Sequence, residues 1–255
     1  MNKFYVEKYN PKKLEELTHN PKVSQTIKNL SEKTDFPHLV FYGPEGSGKK
    51  TRINILLKLI FGDSVFNKTT IENKELKYNS KSIIYSIASS KYHIELTPSD
   101  NGFYDKVIIQ SVIRDLANTS NVSVVSDANL KFKSKILIIK EADKLTREAQ
   151  SALRRTMEKY VKNCRIIMIC NYISKIMAPI RSRCVAIRVA APSLSEIKEF
   201  INYVISKEKI NVKEEQVNQI IQLSNRNINK AIGTLQLSKI LIYLYIINKI
   251  IFNIK

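Results

Sequence analysis

The chain has 255 residues, 44% of them hydrophobic and 25% charged, enough to bury one or two cores and to exclude a peptide or a disordered tail. Its 42 Lys and Arg against 23 Asp and Glu give a formal net charge of +19, which points to a polyanionic partner, nucleic acid first. The Lys-, Asn-, Ile- and Tyr-rich composition is also what A/T-biased coding produces without selection for binding.

In chain order, the first strong element is HLVFYG, His38 to Gly43, a short apolar strand running straight into the glycine-rich segment GPEGSGKKT, Gly43 to Thr51. TRINILLKLI follows with helical spacing, Ile53, Leu56, Leu57 and Ile60 falling on one stripe. The Asn- and Lys-rich stretch from Phe66 to Ser82 is expected to be a surface connection. KILII, ending at Ile139, and RIIMIC, ending at Cys170, read as two further buried strands. Strands alternating with helices predict an α/β fold with a mostly parallel sheet.

Between those two strands, DKLTREAQSALRRTMEKY sets Ala149, Leu153, Met157 and Tyr160 on an apolar face and Arg147, Arg154, Arg155 and Lys159 on a basic one. Such a basic face is either a solvated surface or a contact for a polyanion. At AAPSLSE, Pro192 breaks the preceding strand, and Ser193 with Glu196 forms a capping box for a new helix. The stripe Ile197, Phe200, Ile201, Val204 and Ile205 continues that helix, and the remainder reads as helical. A domain junction is expected here, with a helical part beyond it.

Three cysteines, Cys164, Cys170 and Cys184, without a C-x-x-C pair indicate neither a disulfide framework nor a zinc site. The longest uncharged apolar run, Ile240 to Ile247, is too short to span a bilayer. With no apolar core in the first ten residues, the expectation is a soluble intracellular protein with no membrane partner.

The glycine segment has the spacing of a phosphate-binding loop. Gly43, Gly46, Ser47, Gly48 and Lys49 supply the backbone cradle and the lysine that reaches terminal phosphates. The next position, where such loops carry the hydroxyl that binds magnesium, is Lys50. Thr51 does not replace it, because one residue along a helix turns a side chain by roughly 100°. The second magnesium anchor is normally an aspartate ending a hydrophobic strand, followed by the glutamate that activates water. In ILIIKEADK the aspartate position is Lys140, Glu141 keeps the place of the base, and Asp143 lies past the strand end. Hard cations need oxygen ligands and lysine offers only donors. Two ammoniums aimed at one ion predict a site that holds ATP or ADP with magnesium weak or absent and hydrolysis slow, Lys50 partly neutralising the phosphates.

VEKYNP near the N-terminus, DFPHLVFYGPEGSGKKTR, IASSKYHIELTPSD, EADKLTREAQSALRRTMEKYVKNCR and CNYISKIMAPIRSRC occur in this order. Together they resemble the small subunits of replication factor C, the eukaryotic sliding-clamp loader within the AAA+ ATPases, most of all the subunit whose own ATPase site is degenerate. The resemblance runs from about Val6 to about Leu237. It implies an α/β AAA+ P-loop module, the nucleotide-binding domain over 1–190, followed by a small all-helical lid over 191–238, with 239–255 a divergent tail. Val6, Tyr9 and Pro11 then match the segment near the adenine, and Asn171 the sensor of the terminal phosphate. Arg183, in Ser182 to Cys184, matches the arginine finger given to a neighbouring subunit, and Glu141 becomes a vestigial base.

The implied partners are the other replication factor C subunits, the sliding clamp (proliferating cell nuclear antigen) and primer-template DNA. The DNA would be contacted without regard to sequence by Arg147, Arg154 and Arg155. The implied setting is the nucleus, in replication and repair. The stretch from Ile83 to Leu116 lies where the family meets the clamp.

Two departures stand out. The second sensor, normally an arginine on the lid, aligns with Asn229, beside Lys230. After about Leu237 the match stops, and KILIYLYIINKIIFNIK stands where the family continues into a collar domain; its residue types are those that A/T-rich non-coding sequence would encode, and a truncated or mispredicted end is expected. The rival reading is an autonomous AAA+ ATPase, a helicase or remodeller, with Glu141 catalytic; a structural protein that binds no nucleotide is a third.

Overall fold

The computed structural model describes residues 3–66, 69–78, 81–123, 132, 134–160, 164–210 and 212–252. Two short helices, α1 (Tyr5–Lys8) and α2 (Pro21–Glu32), precede β1 (His38–Tyr42), and the glycine loop leads into α3 (Lys49–Phe61). There follow β2 (Thr70–Tyr78), β3 (Lys81–Ser89), β4 (His93–Leu96), α4 (Asp105–Ser123), β5 (Lys135–Ile139) and α5 (Arg147–Lys159). Next come β6 (Cys164–Cys170), α6 (Ala178–Arg181) and β7 (Cys184–Arg188), and then three helices, α7 (Leu194–Glu208), α8 (Glu214–Leu223) and α9 (Ile228–Phe252).

Among the described residues the strands form one sheet in the order β2-β3-β4-β5-β6-β1-β7. The pairs from β4 to β7 are parallel, and β2 and β3 extend one edge antiparallel. β1, β5 and β6 are continuous apolar runs because helices cover both of their faces. One face buries Val40, Leu137 and Ile166 against Ile109, Ile113 and Leu153 from α4 and α5. The other buries Leu39, Phe41 and Ile167 against Ile27, Ile53 and Leu56 from α2 and α3.

The expected surface connection from Phe66 to Ser82 is instead largely an antiparallel ribbon, Thr70 pairing with Ser89 through to Tyr78 with Lys81; residues 67–68 and 79–80 of it lie outside those described. β2 is an edge strand exposed almost throughout, so no apolar alternation marks it in the sequence.

Beyond Pro192, α7, α8 and α9 build a separate small core around Ile197, Ile201, Val204, Val217, Ile221 and Leu235. The predicted capping box is present: the Ser193 hydroxyl accepts from the Glu196 N–H, and the Glu196 carboxylate accepts from the Ser193 N–H. Tyr5 of α1 packs in this core as well. The backbone of the tail continues α9 as far as Phe252. No described helix is long and apolar enough to cross a membrane.

Candidate nucleotide site

The loop between β1 and α3 owes its shape to glycine. Gly46 and Gly48 have φ of +69° and +81°, in the left-handed region that side chains disfavour. A Cβ on Gly43 would stand 2.0 Å from the Val189 carbonyl oxygen, and one on Gly46 2.0 Å from Asn227 Oδ1. The loop therefore sits tightly between the end of β7 and the helical domain.

Lys49 is buried, and its ammonium donates to the carbonyls of Gly43 (2.6 Å) and Pro44 (2.8 Å) and to Asn171 Oδ1 (2.9 Å). Burial holds it below the ordinary lysine range. Asn171 thus meets the loop lysine directly, while its backbone N–H and that of Tyr172 donate to Asp143. Asp143 joins the ends of β5 and β6 and lines the same cleft as Lys49, Lys50, Glu141 and Asn171. The Ser47 hydroxyl is fully buried with no hydrogen-bond partner among the described residues.

Below the loop lies a group the sequence reading passed over. Arg52 is fully buried and donates to the carbonyls of His19 (2.7 Å) and Ser47 (3.1 Å), with its Nη1 3.2 Å from His19 Nε2. Burial lowers its pKa to about 10, so it is still a cation at pH 7. It draws loop carbonyls inward, which leaves loop N–H groups for an anion.

The two lysines at the metal-anchor positions meet at one carboxylate. Lys140 Nζ lies 2.7 Å and Lys50 Nζ 3.3 Å from the same oxygen, Oε2 of Glu95 on β4. Burial alone would raise the Glu95 pKa, but the Lys140 and Lys50 ammoniums outweigh it and hold the carboxyl below the usual range. In HIEL, a glutamate between two apolar residues reads as solvent-facing, so Glu95 gave no signal. Glu141 faces the cleft, yet its carboxylate pairs with Lys144 at 2.8 Å. The Thr51 hydroxyl donates to Asn10 at 2.9 Å, on the N-terminal segment.

Val6, Tyr9 and Pro11 line an apolar cavity beside Gly46, Gly48 and Thr51, closed by Phe200, Ile228 and Ile232 of the helical domain. Asn229 borders both this cavity and the phosphate cleft. The wall is fixed by Glu208, which accepts from the hydroxyls of Tyr5 (2.9 Å) and Tyr9 (2.7 Å) and from Lys8 and Lys239.

Arg183 lies at the other end of the sheet. It immediately precedes β7, where Cys184 pairs with His38, whereas the glycine loop follows Tyr42, four pairs further on. The span is about 16 Å, so Arg183 stands well away from the cleft beside the glycine loop. It lines a different hollow with His38, Glu158 and Arg165. Of the basic helix residues, Arg147 and Arg155 share one groove with Lys106, while Arg154 turns toward Glu158, at 3.9 Å. The three cysteines are free.

A family model described as DNA polymerase III, delta subunit, matches residues 19–193. Replication factor C subunit 3 of Arabidopsis thaliana is 40% identical over 251 residues, covering 97% of this chain and 70% of the relative. The chain belongs to the replication factor C small-subunit family. Subunit 5 of Saccharomyces cerevisiae is 41% identical over 91% of this chain and 66% of its own length, and human subunit 3 is 41% identical over 89% and 63%. The chain spans roughly two thirds of these replication factor C relatives, 63% to 70% of their length. A Thermotoga maritima RuvB variant superposes with a TM-score of 0.56 at 15% identity, covering 88% of this chain and 63% of that one. The fold is thus AAA+: a mostly parallel sheet flanked by helices, followed by a helical domain.

Proposed function

We propose that the chain serves in a replication factor C clamp loader as the subunit that holds ATP or ADP, hydrolyses it slowly or not at all, and lends Arg183 to a neighbour. The observation that carries this is the shared carboxylate: Lys50 and Lys140 stand where oxygen ligands would hold magnesium, and both are engaged by Glu95. The residues fit a nucleotide, with a glycine cradle, the Lys49 ammonium and an apolar cavity beside it. They fit an ordinary magnesium ion poorly, because at both anchor positions a lysine offers only donors where an oxygen ligand would stand.

In this reading Lys49 and the loop N–H groups bind phosphate, Asn171 senses it through Lys49, and Val6, Tyr9 and Pro11 border the base. Lys144 holds Glu141 as a vestigial base. The position of Arg183, remote from its own cleft, suits donation to the next subunit's site, where an arginine supplied in trans stabilises charge on the transferred phosphoryl. Arg147 and Arg155 with Lys106 suit the backbone of primer-template DNA, giving contacts that are salt-dependent and indifferent to sequence. Phe103, 94% exposed, and Ile84, 65% exposed, lie in the stretch assigned to the sliding clamp, proliferating cell nuclear antigen. The setting is nuclear.

The test is nucleotide affinity with and without a chelator, together with turnover by the purified chain. Affinity should survive chelation and turnover should be negligible. A large loss on chelation, or brisk turnover without partners, would instead support an autonomous ATPase using Glu141. In a reconstituted complex, Arg183→Ala should abolish hydrolysis at the neighbouring site while assembly persists.

A further inference from the structure

Glu95 occupies an uncommon position for a carboxylate. It sits on β4 beside Ile138 of β5, deep in the sheet, with a side chain only 9% exposed. A lone charge there would be strongly disfavoured by desolvation, so its two ammonium partners are what keep it ionised. His93 Nε2 lies 3.8 Å from the other oxygen, Oε1, but burial lowers the His93 pKa, so it is not a third cation at neutral pH.

The two partners are not equivalent. Lys140 is 2.7 Å away, 30% exposed and on the strand end next to Glu95's own neighbour, its N–H donating to the Leu96 carbonyl. Lys50 is 3.3 Å away and 56% exposed, and it lines the phosphate cleft, whose walls include neither Glu95 nor Lys140. Lys140 satisfies the buried carboxylate at close range. Lys50 is the weaker and more exposed partner, and the one a phosphate in the cleft would meet.

Building on the nucleotide-holding role proposed above, the geometry points to Glu95 as a positioning residue: an internal counter-ion that engages Lys50 beside the glycine loop and yields it to an entering nucleoside di- or triphosphate. Glu95 and the phosphate then compete for one ammonium. Nucleotide affinity is therefore set lower than the lysines alone would make it, and release returns Lys50 to Glu95. A carboxylate that merely neutralised two lysines for the sake of folding would have no such effect.

The competition is read by calorimetric titration of ADP in excess chelator with the full chain, its Glu95→Gln and Lys50→Met variants and the double variant. Glu95→Gln should bind ADP about two- to fivefold more tightly, the effect of removing one competing ion pair. Lys50→Met should bind more weakly, and the double variant should match Lys50→Met, because without the ammonium there is nothing to contest. If Glu95→Gln does not fold, Glu95→Asp replaces it: the carboxylate, one methylene shorter, keeps Lys140 and loses the longer contact to Lys50, and the same tightening is expected. Unchanged or weaker binding by a folded Glu95 variant, while the parent chain binds ADP, overturns this role alone. Tightening that persists without Lys50 also overturns it. Failure of the parent chain to bind ADP in chelator overturns the nucleotide-holding role, and this one with it.

Discussion

The Arg183 guanidinium is held by Glu158, Nη2 lying 2.6 Å from Oε1, while Nη1 donates to the Pro179 carbonyl at 2.6 Å. Both side chains are well exposed, 39% and 46%, so the pair contributes no more than about 1 kcal/mol. Such a contact aims the arginine without trapping it. In a reconstituted clamp loader, Glu158→Gln should free Arg183 and raise hydrolysis in the absence of DNA by roughly two- to fivefold, the equivalent of that energy. Steady-state phosphate release measures it, and a rate equal to the parent's would show that Glu158 does not restrain the arginine.

Gly46→Ala should cost stability twice over. A non-glycine residue at φ +69° is strained by about 1–2 kcal/mol, and the new Cβ would strike Asn227 Oδ1 at 2.0 Å. Asn227 Oδ1 also accepts from the Lys230 N–H at the start of α9, so Asn227→Ser keeps a cap while drawing the side chain back. The double variant Gly46→Ala/Asn227→Ser should lose less in denaturant unfolding than its two parents together. Strict additivity would mean that loop and helical domain do not press on each other here.

Glu208 should make the docking of α1 acid-sensitive. Hydrogen bonds from Lys8 and Tyr9, followed by those from Lys239 and Tyr5, lower its pKa from 4.5 to about 2. A depressed carboxylate contributes stability above its unfolded pKa and loses it as pH falls through the folded one. The protection of α1 amides, exchange taken relative to the intrinsic rate at each pH, should therefore be steady down to about pH 4.5 and fall toward pH 2. In Glu208→Gln it should be lower and no longer change across that interval.

His38 should act in a higher range. Burial, aided by the Arg165 guanidinium, lowers its pKa from 6.5 to about 4, and its Nδ1 accepts from the Ile166 N–H at 3.0 Å. The unfolded chain takes up this proton first, so global stability should fall by about 3 kcal/mol as pH drops from 6.5 to 4. His38→Gln retains an acceptor for Ile166 and should flatten that slope in thermal unfolding measured across the interval. A slope identical to the parent's would assign the acid loss to other groups.

The parts of the fold legible in sequence are those whose pattern is one-dimensional. β1, β5 and β6 announced themselves as unbroken apolar runs, and α5 as a helix with Ala149, Leu153 and Met157 inward, all of which are buried. β2 did not, because an edge strand open to solvent carries no alternation. At the site, Lys49, Lys50 and Lys140 stood out by spacing within known loop and strand patterns. Glu95 and Arg52 did not: a charged letter in a strand or helix reads as surface, and only the tertiary fold places a carboxylate under two lysines or a guanidinium beneath a glycine loop. The grouping of Arg147 with Arg155 and not with Arg154 likewise follows from where α5 lies, not from its composition.

The attachment of α1 has a mechanical consequence. Tyr5 donates its N–H to Gln236 at 3.0 Å and is held by Lys239 and Glu208, all on α7 and α9, while Val6 and Tyr9 form one side of the apolar cavity. The N-terminal segment is thus fastened to the terminal helices, so a substitution that loosens α9 at Gln236 or Lys239 also loosens the wall that Val6 and Tyr9 give the slot.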